Sequence, residues 1–309
     1  MIKQEFLDAL RSEMPQLSWQ TDVPMSRCTT LRVGGPADCV AEPGSNDEAG
    51  ELLKLAERFQ VPVTVIGNGS NLLVCDGGIR GLVIRFGHSF SACSITGETM
   101  EAQSGILLSD LAQQAASAGL TGLEFASGIP GTLGGAVVMN AGAYGGEIAQ
   151  VIESAEILSG SRIITLSRDE MELSYRHSRM QRTGELILSA RFRLAKDDPA
   201  VIRERMADLK IRRLEKQPLN LPSAGSFFKR PAGAYAAQLI DGAGLKGFRI
   251  GGAMVSEKHA GFLVNAGGAT AADFLALMRA VQEKVYAHSG FRLEPEVRII
   301  GEDTDGGPF

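Results

Sequence analysis

From Phe125 to Gly146 the chain carries no charged residue, and SGIPGTLGGAVVMNAGAYGGE at 127–147 holds seven glycines among twenty-one residues. A charge-free run of that length is long enough to cross a bilayer. Pro130, Asn140 and the scattered glycines exclude a span: a helix built from them has poor propensity and opens backbone groups that lipid does not satisfy. The stretch is therefore expected to be a loop or turn system held against something the backbone approaches closely. Glycine supplies positive φ and leaves room for a ligand.

At 309 residues the chain has room for two or three domains, and an apolar content of 44% is ordinary for a folded soluble protein. A net charge of −5 and a pI near 5.5, with no Lys/Arg run interleaved with aromatics, argue against nucleic acid as a partner. Local basic residues (Arg212, Arg213, Lys216, Lys229, Arg230) leave room for an anionic small molecule. The opening MIKQEFLDALRSE has apolar residues at helical spacing with charges between them, unlike the unbroken apolar core of a signal peptide. A cytoplasmic protein without membrane insertion is expected, and no obligate protein partner is evident. Cys28, Cys39, Cys75 and Cys93 form no CxxC pair and read as buried thiols; the four histidines include no HExxH, so no metal site is expected.

Asn46–Phe59 has an Asn cap, early acids and helical apolar spacing, and VPVTVIG after it reads as a strand. Further strands are expected at Leu82–Phe86, Val151–Leu158 and Glu185–Leu194, with a helix at Ser109–Ala118 opened by Ser109 and Asp110. A polar helix over Asp198–Lys216 leads into QPLNLPSAG, whose prolines mark a domain boundary. Beyond it come a short helix at Tyr235–Ile240, a strand at Gly261–Asn265, an amphipathic helix at Ala271–His288 and a final strand in FRLEPEVRII. Helices and strands do not alternate regularly, so the expected class is α+β and not a doubly wound sheet.

Glycine loops raise the question of phosphate. No lysine is followed by Ser or Thr, so there is no Walker loop. In IGNGSNLLV, Gly67 and Gly69 are followed by Leu72 where a dinucleotide fingerprint needs its third glycine, and a strand is expected next. What remains is the turn Gly67-Asn68-Gly69-Ser70-Asn71, whose N–H groups can form an anion nest, together with glycine turns in TTLRVGGPAD and SGIPGTLGG. Taken alone, the first of these reads as a plain strand connection. Three such turns suggest a dinucleotide held by backbone.

TTLRVGGPAD, GNGSNLLV, SGIPGTLGGAVVMNAGAYGGE, SYRHS, PSAGSFFKRP, GGAMVSEKHAGFLVN and LEPEVRIIG, in this order from Thr29 to Gly301, resemble the UDP-N-acetylenolpyruvoylglucosamine reductases, the MurB flavoenzymes. The resemblance implies the PCMH-type FAD-binding fold shared with vanillyl-alcohol oxidase, followed by a substrate domain. The implied division is 1–86 and 87–213 for two FAD-binding subdomains, 214–295 for substrate, and 296–309 as a strand and tail returning to the FAD region. The implied reaction is reduction of UDP-N-acetylglucosamine enolpyruvate to UDP-N-acetylmuramate in peptidoglycan precursor synthesis. NADPH is the co-substrate and FAD is held without a covalent bond, GNGSNLL offering no histidine for attachment.

On the same resemblance FAD contacts fall on Thr30, on Gly67, Asn68, Gly69, Ser70 and Asn71, and on Ser127, Gly128, Pro130, Gly131, Thr132, Gly134, Gly135, Asn140 and Gly142, with Arg213 and Arg298 added. Ser226 matches the proton donor, Arg176 the partner of the substrate carboxylate, and Glu296 the group that polarises or helps protonate the intermediate. Hydride addition to the terminal alkene carbon leaves negative charge beside a carboxylate, which calls for a cation and an acid. By spacing alone Ser226 is a turn serine beside Gly225, Arg176 a surface arginine and Glu296 a strand-edge acid. Tyr175, Lys216, Lys229 and Arg230 are the expected contacts of the UDP-sugar. The short path from SYRHS through RMQRTGELILSARFRL leaves little room for an inserted loop, which matches the type II form. An oxidase on the same fold, or a flavin-binding protein without chemistry, are the competing readings; neither needs Ser226, Arg176 and Glu296 together.

Overall fold

The computed structural model describes residues 2–160 and 162–304; of the expected C-terminal segment 296–309, residues 305–309 lie outside the described residues. Two compact units emerge. The first gathers Met1–Gln20, Val40–Asn68 and Gly81–Arg213; the second gathers Thr21–Cys39, Gly69–Arg80 and Leu214–Phe309. Each is assembled from three separated stretches, and the strands Pro36–Glu42 and Ile79–Arg85 run through points where the chain passes from one unit to the other.

The first unit is built on an antiparallel sheet ordered Arg162–Ser167, Ile152–Ser159, Leu186–Arg193, Thr99–Gln103, Cys93–Thr96. Alternation places Ala155, Ile157, Ala190 and Phe192 in its core, and the helices Leu108–Ser117 and Leu133–Val138 close over them with Leu111, Ala115, Leu133 and Val137. Strand Val63–Ile66 pairs parallel with the end of Ile79–Arg85, from Val63 opposite Leu82 to Ile66 opposite Arg85.

Two helix starts differ from expectation. Ser45 and not Asn46 caps Asn46–Arg58: its hydroxyl accepts the Glu48 N–H at 3.1 Å, while the Glu48 carboxylate accepts the Gly44 N–H at 2.7 Å. Helix Leu108–Ser117 begins without a side-chain cap; Ser109 Oγ turns to Asp110 at 3.3 Å, and the Gly131 carbonyl accepts the Leu108 N–H at 3.0 Å. A backbone neighbour distant in sequence does there what a capping hydroxyl does elsewhere.

Glu124 in this unit gives a pH signature. Burial alone raises its carboxyl, but hydrogen bonds from Thr121 Oγ1 at 2.6 Å, Gly122 N–H at 2.8 Å and Arg205 at 3.2 Å outweigh that and hold it below the usual value. A carboxyl depressed on folding contributes stability that is present above its unfolded pKa and lost as pH falls through the folded one. Glu124→Gln is therefore expected to melt below the parent at neutral pH, with the gap closing below about pH 4. A gap in Tm that stays constant across that range contradicts the assignment.

The second unit carries an antiparallel sheet ordered Ser223–Ser226, Phe262–Asn265, Ala253–Val255, Arg249–Ile250, and a parallel pair, Leu72–Val74 with Arg298–Ile300. Helix Ala271–Ser289 supplies Phe274, Leu277 and Val281 to a core shared with Phe227, Val255 and Leu263; the Phe227 and Phe274 rings stack at 6.3 Å. Its four leading N–H groups are all satisfied. Ala271 and Ala272 donate to the two oxygens of Asp76 at 2.8 and 2.9 Å, Asp273 to Thr270 Oγ1 at 3.1 Å, and Phe274 to the Thr270 carbonyl at 3.3 Å. Gly290, at φ +75°, stops the helix.

Segregated sheets with helices laid on them give the α+β class expected. Cys28, Cys39 and Cys75 are buried thiols and Cys93 is half-buried; burial pushes Cys39 up to about 12 and Cys75 up to about 11. Among the described residues no helix is long and apolar enough to cross a membrane, and no group of three or more His, Cys, Asp or Glu is placed to hold a metal ion.

Candidate active site

In the first unit the glycine segment is ordered by close approach. A Cβ on Gly67 would stand 2.0 Å from Thr132 Oγ1, so the end of strand Val63–Ile66 must be bare there. Asn68 Nδ2 donates to the Pro130 carbonyl at 2.6 Å. These two contacts tie the Gly67 turn to SGIPGT. Gly128 is bare because the Arg213 guanidinium lies on it, and burial lowers the pKa of that arginine.

The segment is not all loop. It holds a 3-10 turn at Glu124–Gly128, a six-residue helix at Leu133–Val138, and a short antiparallel pair, Gly142–Ala143 with Gly146–Glu147. Leu133, Ala136 and Val137 are buried between the glycines, and that burial overrides the poor propensity that argued for turns alone.

Asn140 is fully buried, with φ +40°. Its Oδ1 accepts the Ala149 N–H at 2.9 Å and its Nδ2 donates to the Ser174 carbonyl at 3.0 Å, so both ends of the carboxamide are used inside the unit. Ser174 and His177 exchange backbone bonds of 3.1 and 3.0 Å across the turn Tyr175-Arg176. Arg176 has φ +54°; its Nη2 donates to the Gly142 carbonyl at 3.2 Å, and its guanidinium lies 5.1 Å from the centre of the exposed Tyr175 ring.

The turn after strand Val63–Ile66 fits an anion. The N–H groups of Asn68, Gly69, Ser70 and Asn71 donate to no acceptor among the described residues, and Gly69 has φ +62°. Successive unspent donors around a left-handed residue are the geometry of a nest, which can take an anion.

In the second unit Thr30 N–H donates to the Gly69 carbonyl at 3.3 Å and Thr30 Oγ1 to the Ser223 carbonyl at 2.7 Å. Strand Ser223–Ser226 then runs against Phe262–Asn265 with an irregularity before Ser226, where Gly225 takes φ +78°. Ser226 is thereby exposed while Phe227 and Phe228 turn inward. The Ser226 hydroxyl donates to no group among the described residues.

LEPEVR lies alongside. Glu296 N–H donates to the Phe227 carbonyl at 2.9 Å and Lys229 N–H to the Glu294 carbonyl at 2.8 Å. Asn71 brackets the entry to strand Arg298–Ile300: its Nδ2 donates to the Glu296 carbonyl at 3.1 Å and its own carbonyl accepts the Arg298 N–H at 3.0 Å. Thr30, Gly69, Asn71, Ser226, Glu296 and Arg298, far apart in sequence, form one neighbourhood of this unit.

Lys229 pairs with Glu294 at 3.5 Å, and Lys216 is exposed at the end of helix Pro199–Lys216. Arg230 stacks at 3.9 Å on the exposed ring of Tyr235, a residue that sequence reasoning did not single out. The signal for it was PAGA, where Gly233 at φ +75° turns the chain back on itself. Gln181 was missed too: its Nε2 donates to the carbonyls of Val138 at 2.8 Å and Arg176 at 3.0 Å, a pairing with no signature in spacing. A cavity of about 440 Å³ lined by Glu124, Phe125, Tyr144, Arg205 and Arg212 opens in the first unit, apart from Arg176.

Residues 217–300 match the family described as UDP-N-acetylenolpyruvoylglucosamine reductase, C-terminal domain, and residues 37–166 match an FAD binding domain. The UDP-N-acetylenolpyruvoylglucosamine reductase of Agathobacter rectalis is 50% identical, over 97% of this chain and 100% of its own. That of Latilactobacillus sakei is 52% identical, over 93% of this chain and 94% of its own. The crystal structure of the Thermus caldophilus enzyme superposes with a TM-score of 0.79 at 37% identity, covering 92% of this chain and 98% of that one. The architecture is accordingly an FAD-binding domain of the PCMH type with a C-terminal α+β domain. The chain belongs to the UDP-N-acetylenolpyruvoylglucosamine reductase family.

Proposed function

We propose that the chain reduces UDP-N-acetylglucosamine enolpyruvate to UDP-N-acetylmuramate with NADPH, as a cytoplasmic flavoenzyme that needs neither nucleic acid, membrane insertion nor an obligate protein partner. The observation that carries the reading is the Ser226 hydroxyl, exposed and without an acceptor among the described residues, at the end of a strand whose following carbonyl, that of Phe227, accepts the Glu296 N–H. FAD, when bound and reduced by NADPH, supplies the hydride that goes to the terminal alkene carbon.

The remaining work falls to side chains. Ser226 gives a proton to the carbon beside the substrate carboxylate and recovers one from solvent; a hydroxyl is a weak acid, so nearness to the forming carbanion must do most of the work. Arg176 pairs with that carboxylate and stabilises charge delocalised into it, a task suited to a guanidinium already oriented by the Gly142 carbonyl. Glu296, half-buried and fixed by Asn71, polarises or helps protonate the intermediate. Tyr175, Lys216, Lys229 and Arg230 receive the UDP-sugar. FAD is held without a covalent bond by the N–H groups of 68–71, by Thr30, by Ser127, Gly128, Pro130, Gly131, Thr132, Gly134, Gly135 and Gly142, and by Arg213 and Arg298. In this division 1–86 and 87–213 serve FAD, 214–295 serve substrate, and the segment after 295 returns Glu296 and Arg298 to the flavin.

The test is the visible flavin spectrum of the purified protein under anaerobic conditions. NADPH is expected to bleach it and the enolpyruvyl substrate to restore it. Bleaching without recovery would leave a flavoprotein with another acceptor, and the absence of any flavin spectrum would favour a binding protein.

A further inference from the structure

We infer that Asn140 and Gln181 are positioning residues for Arg176 and make no contact with FAD or substrate. The inference rests on the proposed role of Arg176. A bulky residue at φ +54° occupies a region that L side chains rarely adopt, and it sits here in a two-residue turn closed by Ser174 and His177. Two carboxamides supply the restraint. Asn140 Nδ2 holds the carbonyl that enters the turn, at Ser174, and Gln181 Nε2 holds the carbonyl of Arg176 itself. Both anchors are tied to the glycine segment. Asn140 is part of it, and Gln181 reaches Val138 in it with the same nitrogen, as does Ser178 Oγ at 2.7 Å.

The guanidinium is fixed from the same side, since Nη2 donates to Gly142, two residues beyond Asn140. Backbone and side chain of Arg176 are therefore both referenced to 138–142. Asn140 suits its position chemically: asparagine tolerates φ +40°, and burial with both ends bonded fixes its carboxamide in one orientation. The uncharged segment is thus more than a bed for a cofactor, because it also aims the cation that meets the substrate.

The test uses Asn140→Asp, which keeps the left-handed tolerance and the acceptor for Ala149 while removing the donor to Ser174, and Gln181→Met, which cannot regain a donor by taking up a proton. Substrate-driven flavin reoxidation is expected to slow about 10- to 100-fold, the scale of a misplaced catalytic group. NADPH-driven bleaching and the amount of bound flavin should match the parent. In an Arg176→Ala background neither change should slow reoxidation further. Parental reoxidation rates in both single variants overturn the inference, as does a loss that persists in full without Arg176. If Arg176→Ala itself reoxidises normally, the assigned role of Arg176 fails and the inference fails with it; the single variants and the background therefore separate the two failures.

Discussion

Ser226→Ala is expected to leave NADPH bleaching of the flavin intact while slowing reoxidation by the enolpyruvyl substrate by about 10²- to 10⁴-fold, the range of a lost general acid. In free energy that is about 3–5 kcal/mol of transition-state stabilisation. The separation of half-reactions follows from position. The hydroxyl is exposed and bonded to nothing in the described structure, so its removal costs the fold little, within about 0.5 kcal/mol for an exposed site. Phe227 and Phe228, which set the strand in place, are untouched. Equal loss of both half-reactions would indicate a distorted site, and unchanged reoxidation would remove Ser226 from the mechanism.

Gly69→Ala is expected to yield a protein that has lost most of its FAD and melts about 5–10 °C below the parent, for about 2–5 kcal/mol of destabilisation. Two costs combine. The added Cβ would stand 2.1 Å from the Cys28 carbonyl oxygen, backbone that cannot swing away, and φ +62° is strained for any side chain. Gly97→Ala is the control: its φ is +63° with open space around the added carbon, so it should cost the strain alone, about 1–2 kcal/mol, and keep its flavin. If the two variants melt together, the close approach at Gly69 is not what the turn depends on. Flavin content then tells whether the N–H groups of 68–71 keep their arrangement.

Much of this was legible in the sequence where local rules decide. The apolar runs at 151–158 and 185–194 became sheet strands within a residue of their expected bounds, and Leu72, in place of a third glycine, opens a strand and not a helix. The ordered motifs identified the family and the residues worth testing. Most of what escaped was decided by tertiary partners. Ser45 displaced Asn46 as a cap because Glu48 could reach back to Gly44. Leu108 needed no cap because a carbonyl from Gly131 arrived. The helix at Leu133–Val138 hid among glycines whose propensity argued against it, and the Asn140 amide spends both its ends on Ala149 and Ser174. The last three have no signature in spacing, since they depend on contacts made elsewhere in the chain, whereas the Ser45 cap is local and lies in the Ser-x-x-Glu spacing of SNDE.

The Asp76 cap on helix Ala271–Ser289 also bears on how the molecule can be made. During synthesis Asp76 leaves the ribosome nearly two hundred residues before the N–H groups it will bind. Thr30 waits as long for the Ser223 carbonyl and Asn71 longer for Glu296. Such long-range closures make folding slow and leave early segments without their partners while the chain grows. The second unit can therefore close only when the last strand, Arg298–Ile300, has emerged beside Leu72–Val74. Its C-terminal stretch expressed alone would lack the residues that cap its longest helix and pair its final strand.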